Sequence, residues 1–213
     1  MPNYDVIFYE KPDGTEPAKE FLLSLDPKMR AKMLKTIDLL AENGNELREP
    51  YSKYLEDSIF ELRAKVGSDI SRVLYFFCWE TSGSHKRFHQ ENAENADRRK
   101  RARQTISERL YGTRGGTNMS KYSDFLAEQL TDPAVKAEYD ALEPEFAIIQ
   151  AMIDARKSSG LTQKQLSERT GIAQADISKL ESGNANPSLK TLQRLAAGMG
   201  MKIKIEFQPI AQI

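Results

Sequence analysis

Two arginines stand in neighbouring runs of β-forming residues. Arg63 belongs to the run 59–65 and Arg72 to the run 71–77, and a turn signal at Gly67–Asp69 separates the two. Because the arginines fall at alternating positions of adjacent strands, we expect both guanidinium groups to project from one face of a sheet, where forked hydrogen bonds would hold a phosphate. The alternative that stays open is a pair of solvated side chains on a half-buried sheet.

The numbers of charged and metal-binding residues limit the classes of site. The 213 residues include one cysteine, Cys78, and two histidines, so we expect no intrachain disulfide, no metal site and no cofactor. The 31 basic and 31 acidic residues balance, so binding to nucleic acid requires a local patch. No apolar run reaches the length of a membrane span and no secretory signal follows Met1. We therefore expect a cytoplasmic protein with no membrane partner.

The segment 161–183 has the pattern of two short helices joined by a glycine turn. Thr162 is placed to cap the first helix, Gly171 to form the turn, and Ile177 and Leu180 to anchor the second helix in a core. A plain helical hairpin is the alternative interpretation. The residues left on the outer side of the second helix are Gln174, Ala175, Ser178 and Lys179.

Over about residues 149–201 this pattern resembles the λ-repressor-like, Cro/C1-type helix-turn-helix family. The resemblance implies an all-α domain whose second helix of the pair enters the major groove and reads base edges. Gln174 is then the first candidate for a base contact, because an amide pairs bidentately with adenine; Ser178 and Lys179 follow. The residues expected near phosphates, where they fix register, are Gln163 and Lys190.

The residues beyond Gly200 alternate between apolar and charged. Along Met201–Phe207 the isoleucines and the phenylalanine share one face and the charged residues the other. This period of two predicts a short C-terminal strand. The strand would pair either within its own domain or with the same segment of a second copy.

The first 79 residues combine strand and helix signals. A β-rich run at 4–9 comes first, helices are predicted to start near 15–17 and 26–27, and Asn43-Gly44 is predicted to end the second helix. This order, followed by further strands, predicts an α+β domain in which two helices pack on a small antiparallel sheet. The apolar residues that recur at helical spacing in the second helix are Met29, Met33, Ile37 and Leu40.

Six motifs of this half follow one another at 4–9, 29–32, 47–50, 53–57, 59–63 and 72–76. Their order and spacing resemble the RelE/HigB toxin superfamily, in its phage-derived Gp49-like branch. The resemblance implies a ribosome-dependent mRNA interferase. Cleavage by a 2′-hydroxyl needs a stabilised phosphorane and proton transfer. The catalytic residues implied are Arg63 and Arg72, with Lys53 and Tyr54 as further candidates.

The usual partner of such toxins is a HigA antitoxin with a Cro/C1-type domain, so the two resemblances support one another. They imply a toxin domain at 1–79, a tail and linker at 80–118 and an antitoxin at 119–213. The partners expected are a palindromic operator, bound by a homodimer acting as an autorepressor, and the ribosome and mRNA if the toxin domain is active.

Amphipathic helices within 122–149 are predicted to contact residues 1–79, in cis or in a second copy. The apolar residues concerned are Phe125, Leu126 and Leu130. Burial of these side chains inside their own domain is an equally good account of the pattern.

The tail at 80–118 departs from the toxin family, which continues with another strand and a Thr-Asn-Gly-Phe-like turn. One allowed set of codons for 84–97, read from the second nucleotide, yields a run of residues like the family's own tail. We therefore hypothesise a change of reading frame between about Trp79 and Ser84, which would leave the sheet one strand short. The alternative function is then a DNA-binding regulator whose toxin half is catalytically dead.

Overall fold

The chain forms two compact units, residues 1–144 and residues 145–213. A computed structural model describes residues 4–11, 13–56, 58–79, 86–92, 120–183 and 185–206.

A mixed sheet forms the centre of the first unit. Its strands among the described residues are β1 (Asp5–Phe8), β2 (Ser52–Tyr54), β3 (Ile59–Val66), β4 (Asp69–Trp79) and β5 (Lys86–Asn92). Their order across the sheet is β1-β5-β4-β3-β2. Strands β2 to β5 pair antiparallel, as predicted, whereas β1 pairs in parallel with β5. The predicted turn lies between β3 and β4, where Gly67 has a φ of +60°.

The sheet does not end at β4, contrary to the expectation of a missing strand after Trp79. Strand β5 lies between β4 and β1, and its Phe88 is paired in register with Phe77 on one side and Val6 on the other. The hydrogen bonds of a sheet join main-chain groups, so pairing here does not require the side chains of the family's tail. The rest of the predicted tail and linker at 80–118 lies outside the described residues.

Two helices follow β1, α1 (Pro17–Ser24) and α2 (Pro27–Asn43). The Asp26 carboxylate caps α2 by accepting hydrogen bonds from the main-chain nitrogens of Lys28 and Met29, each at 3.1 Å. The helix ends at Gly44, whose φ is +55° and where the Tyr4 ring occupies the space that a Cβ would need. The predicted core residues Met29, Met33, Ile37 and Leu40 are buried.

The segment 120–144, named here the covering segment, returns to this unit and contains α3 (Tyr122–Gln129) and α4 (Pro133–Ala141). It begins along the outer edge of β1, where the Phe8 N–H donates to the Ser120 carbonyl at 3.1 Å and Ile7 forms an antiparallel bridge with Lys121. An unpaired strand edge can pair with strands of other chains, and here Ser120 and Lys121 occupy that edge of β1. Helix α2 contacts both β3 and α4.

The second unit is helical. Its helices are α5 (Glu143–Ser158), whose first two residues belong to the first unit, α6 (Gln163–Thr170), α7 (Gln174–Glu181) and α8 (Leu189–Gly198). In α8 the buried side chains are Leu195 and Ala196, whereas Leu189, the first residue of the helix, is 52% exposed and lies outside the core. The residues that form the core cluster are Met152, Leu161, Leu166, Ile177, Leu180 and Leu195.

The strand predicted at Met201–Phe207 is not formed over its described part. Residues 201–206 have neither helical nor strand structure, and all six are exposed. Alternation alone does not make a strand, because the main-chain groups need a paired strand and no described residue of this chain supplies one. Phe207 lies outside the described residues.

Candidate nucleic-acid interface

Helices α6 and α7 form the predicted helix-turn-helix. A capping box opens α6: the Thr162 hydroxyl accepts from the Gln165 main-chain nitrogen at 3.2 Å, and the Gln165 side chain accepts from the Thr162 N–H at 2.9 Å. Gly171 ends the helix in the left-handed region at φ +66°, and its N–H donates to the Ser167 carbonyl at 2.8 Å. The predicted cap and turn are therefore confirmed.

Helix α7 has a buried and an exposed side, as the pattern indicates. Ile177 is 0% and Leu180 6% exposed. The candidate contact residues on the other side differ in accessibility: Gln174, Ala175 and Lys179 are exposed, whereas Ser178 is half-buried. Gln174 is the first residue of the helix, where a side chain can reach a base edge without obstruction from an earlier turn.

A buried ion pair stands behind the exposed face of α7. Glu181, 7% exposed, accepts from Nε of Arg156 at 2.6 Å and from Nη2 of Arg156 at 3.1 Å. It also accepts from Nε2 of Gln163 at 2.9 Å, and Oε1 of Gln163 lies 3.4 Å from Nε2 of Gln174. The chain of contacts connects the outermost amide, Gln174, to the core. Sequence reasoning missed Arg156 and Glu181, which lie 25 positions apart and carry no local signal.

The two candidate lysines of this unit have different surroundings. Lys179 is paired with Asp176 at 3.0 Å, and both side chains are more than half exposed, so the pair contributes little to stability. Lys190 is exposed in the first turn of α8, just after Ser188, whose hydroxyl caps the helix by accepting from the Thr191 N–H at 3.1 Å.

A second group of basic residues lies on the sheet of the first unit. Arg63 of β3 is directly opposite Arg72 of β4, and Lys53 of β2 is directly opposite Glu61 of β3. Residues opposite one another, and residues two apart, share a face of a sheet. The structure therefore brings Lys53, Arg63 and Arg72 together on one face, with Glu61 among them.

The fourth candidate of this group lies elsewhere. Tyr54 is directly opposite Phe60, and the two rings lie edge to face with centroids 5.4 Å apart. Since neighbouring residues of a strand alternate in direction, Tyr54 is on the face away from Arg63 and is 58% exposed there. The structure does not bring Tyr54 together with the other three candidates.

Glu61 is the residue of this cluster that sequence reasoning missed. Its side chain is 8% exposed, and its Oε1 lies 2.5 Å from Nε of Arg63 and 3.6 Å from Nε of Arg72. The available signal was alternation along β3, which puts positions 61 and 63 on the same face. A single carboxylate thus contacts both guanidinium groups.

The predicted contact between 122–149 and residues 1–79 is present in cis, through the covering segment. The Tyr122 hydroxyl lies 2.9 Å from Oδ1 of Asp38 and 2.8 Å from the carbonyl oxygen of Leu34, and the Tyr139 hydroxyl donates to Oδ2 of Asp38. Lys35 forms an ion pair with Glu143, and its Nζ lies 4.0 Å from the centroid of the Tyr139 ring.

Burial and hydrogen bonding have opposite effects on the pKa of Asp38. Burial raises the pKa of the Asp38 carboxyl above its ordinary value, while the hydrogen bonds from Tyr139 and Tyr122 act to lower it. Burial and the negative charge of Asp38 raise the pKa of Tyr122 well above its ordinary value. Burial and the charge of Asp38 likewise raise the pKa of Tyr139 above its ordinary value, so both tyrosines remain protonated donors in this contact at neutral pH.

Apolar and amide contacts complete the attachment of the covering segment. The Phe125 ring packs edge to face on Phe8, with centroids 5.2 Å apart. Nη1 of Arg30 donates to Oε1 of Gln129 at 3.0 Å. Phe125 is 2% exposed, so the first of the three predicted apolar residues is buried against residues 1–79, as its contact with Phe8 shows. Leu126 and Leu130 are half-buried.

Two family models match the chain. Residues 20–82 match the family described as phage derived protein Gp49-like, and residues 152–204 match the helix-turn-helix family. The first match contains Lys53, Arg63 and Arg72, and the second contains α6, α7 and α8. Within the described residues no helix is long and apolar enough to cross a membrane.

Curated relatives resemble the C-terminal part. An HTH-type transcriptional regulator of Haemophilus influenzae is 39% identical over 59 residues, which are 28% of this chain and 60% of that protein. Antitoxin HigA1 of Mycobacterium tuberculosis is 29% identical over 82 residues, which are 38% of this chain and 55% of that protein. The chain thus spans little more than half the length of these relatives. No solved structure matches it.

The two matched segments do not overlap, and each falls in one of the two compact units. The chain therefore joins a Gp49-like segment to a helix-turn-helix segment that is similar to an HTH-type transcriptional regulator and to a HigA antitoxin, which fits a fused toxin–antitoxin protein.

Proposed function

We propose that the chain is a toxin–antitoxin fusion in which the covering segment neutralises the Gp49-like unit, meaning here the first unit without that segment, and the helix-turn-helix unit represses transcription from an operator. The observation that carries this proposal is the contact of Tyr122 and Tyr139 with Asp38, because it joins the Gp49-like unit to the segment that leads into the helix-turn-helix. In this proposal the boundary between the toxin part and the antitoxin part of the chain lies near residue 119.

For the DNA-binding unit we propose that Gln174 reads a base and that Ser178 and Lys179 contact neighbouring positions. Support comes from the exposure of Gln174 and Lys179 and from the contact of Gln174 with Gln163. Gln163 and Lys190 then bind phosphates and fix the register of α7 on the duplex. A single module reads few base pairs, so we propose a homodimer on a palindromic operator.

For the Gp49-like unit we propose an mRNA-interferase ancestry in which Arg63, Arg72 and Lys53 bind the phosphate of the scissile bond. Support comes from the register that places these three cations on one face of the sheet. Guanidinium groups stabilise the charge that develops on a phosphorane during attack by the 2′-hydroxyl. Tyr54 is a weaker candidate for contact with this phosphate, since it lies on the other face of the sheet.

A second candidate function is a DNA-binding regulator whose Gp49-like unit is catalytically dead. It is favoured by the end of the family match at residue 82, beyond which the family's own tail is absent from the sequence. The coding DNA tests the underlying hypothesis directly: codons of 84–97 that do not yield the family's tail in another frame would remove it.

Expression of the full chain with a weakened covering segment separates the two functions. We expect Phe125→Ala with Tyr139→Ala to cause growth arrest, because these changes remove contacts of the covering segment and leave residues 1–92 unchanged. Adding Arg63→Ala is expected to abolish the arrest. The matched control is Lys136→Ala, an exposed change in the same segment. Normal growth of the first variant, with its protein folded and abundant, would favour the regulator.

Selection of bound sites from random duplex DNA tests the DNA-binding unit. We expect the purified full chain to enrich palindromes whose half-sites lie about one helical turn apart, or a multiple of it. Enrichment of isolated half-sites would contradict the proposed dimer, and the absence of any enriched sequence would contradict operator binding.

A further inference from the structure

The cluster of Lys53, Glu61, Arg63 and Arg72 contains a carboxylate at the centre of three cations. We propose that Glu61 is a positioning residue, which holds Arg63 and Arg72 as a two-armed fork for one phosphodiester group of single-stranded RNA. This inference rests on the proposed RNA-binding role of the first unit, and it identifies the group that orients the site.

The register of the sheet places two positive charges next to one another, and the negative charge of Glu61 reduces their repulsion. Arg63 and Arg72 are directly opposite one another on β3 and β4, and like charges at such positions, with Cβ atoms about 4.5–5.5 Å apart, destabilise a sheet. Oε1 of Glu61 accepts a hydrogen bond from Nε of Arg63 at 2.5 Å and forms a longer ion pair with Nε of Arg72 at 3.6 Å. One carboxylate oxygen thus contacts the guanidinium groups of both arginines.

The same contact determines which guanidinium atoms remain for a ligand. Glu61 faces the Nε edge of each arginine, and no described residue accepts a hydrogen bond from the terminal amino groups of Arg63 or Arg72. A guanidinium has further N–H donors beyond Nε in a fixed plane. Nε is the atom of each arginine that contacts Glu61, so the terminal amino groups keep N–H donors of the kind that bind the oxygens of a phosphate.

The three contacting side chains of the cluster differ in how deeply they are buried. The side chain of Glu61 is 8% exposed, that of Arg63 26% and that of Arg72 46%, so the carboxylate lies beneath the cations. An anion approaching from solvent meets the guanidinium groups before it meets Glu61. Lys53, opposite Glu61 and exposed, adds a third cation at the side. The cluster is therefore net positive despite the central carboxylate.

Anisotropy of a labelled single-stranded RNA of mixed sequence, titrated with the full chain at fixed salt, tests the role of Glu61. Glu61→Gln is compared with Glu56→Gln, an exposed residue of the same unit. Both changes remove one negative charge, so long-range electrostatics predicts equal or tighter binding for both. Positioning predicts that Glu61→Gln alone weakens binding, by about tenfold, as a misdirected fork loses charge-assisted hydrogen bonds.

Two further variants keep the test decisive if Glu61→Gln does not fold. Arg63→Lys and Arg72→Lys keep the charge but lack the Nε–H that contacts Glu61. Positioning predicts a loss of about tenfold for each, whereas a simple basic patch predicts no change. Glu61→Asp, which keeps the carboxylate at a shorter reach, is expected to bind between Glu61→Gln and the unaltered chain.

The outcomes separate this inference from the proposed function. Binding by Glu61→Gln as tight as by Glu56→Gln, with Arg63→Ala still weakened, would remove the role of Glu61 and leave the RNA-binding role of the unit standing. RNA binding by the unaltered chain that Arg63→Ala does not weaken would overturn both. Unchanged binding by both lysine variants would likewise overturn the fork.

Discussion

Tyr139 donates a hydrogen bond to Asp38, a residue 101 positions earlier in the chain. Tyr122 lies 2.9 Å from the other carboxylate oxygen of Asp38. Both oxygens of one carboxylate are therefore engaged by phenols of the covering segment. This pair of contacts attaches both α3 and α4 to α2 at one carboxyl group.

We expect Tyr139→Phe to lower the free energy of unfolding of the first unit by about 1–3 kcal/mol. The change removes the hydroxyl that donates to Asp38 but keeps the ring beside Lys35. Urea unfolding followed by tryptophan fluorescence measures this, since the one tryptophan of the sequence, Trp79, belongs to this unit. Tyr54→Phe, at a 58% exposed residue, is the control, and an equal effect of both changes would contradict the prediction.

Asp38 makes the stability of the first unit depend on pH in a defined direction. Burial raises the pKa of its carboxyl above the ordinary value of 3.8. The folded state then binds the proton more tightly than the unfolded state, so Asp38 favours folding most below pH 3.8 and this contribution is lost as pH rises through the folded-state pKa.

Asp38→Asn lacks this titration. We expect the unfolding free energy of the variant, relative to that of the unaltered chain, to rise from pH 3.8 through the folded-state pKa of Asp38 and then to level off. Urea unfolding of both proteins over this pH range measures the difference. A difference that falls as pH rises would contradict the sign of the shift.

The fold of the first unit could be predicted where it depends on short-range patterns in the sequence. Helical spacing in α2 identified Met29, Met33 and Ile37 as core. It did not identify Leu34 and Lys35, which are also buried. Both contact residues that come more than 80 positions later: Tyr122 hydrogen-bonds to the Leu34 carbonyl, and Tyr139 and Glu143 contact the Lys35 side chain. An amphipathic pattern shows one buried face, and it cannot show a second face that a remote segment covers.

The candidate sites show the same limit. The cap at Thr162 and the turn at Gly171 follow from local rules and are confirmed. Glu181 was missed because its cation, Arg156, lies on another helix. Glu61 was missed although Arg63 is two residues away on the same strand, because alternation shows that the two share a face but not that the carboxylate is buried. The parallel pairing of β1 with β5 was missed for a related reason: a strand's period does not specify its partner.

Arg156 supports the helix-turn-helix from behind, so its loss is expected to affect both stability and DNA binding. Arg156→Ala leaves Glu181 buried without its cation, which we expect to destabilise the second unit by about 3 kcal/mol. Hydrogen exchange of the amides in α6 and α7 measures this. The control is Lys164→Ala, an exposed change in α6. Exchange as slow as in the control would mean that the ion pair contributes nothing to stability.

Gln174 is the residue on which base readout is expected to depend most. We expect Gln174→Ala to weaken binding to the selected operator by about 1–3 kcal/mol and to relax preference at one base position in each half-site. Band-shift titrations with every single substitution in the half-site measure both effects. Unchanged affinity and unchanged preference would move base readout to another residue of α7.

Lys190 is expected to act on all DNA sequences alike. It is exposed in the first turn of α8, and a lysine that neutralises one phosphate releases about one counterion on binding. We therefore expect Lys190→Ala to weaken operator and non-operator DNA by the same factor and to reduce the slope of log K against log salt by about one. Lys202→Ala, at an exposed residue beyond α8, controls for the loss of one charge. A variant that keeps the full salt slope but changes base preference would assign Lys190 to readout instead.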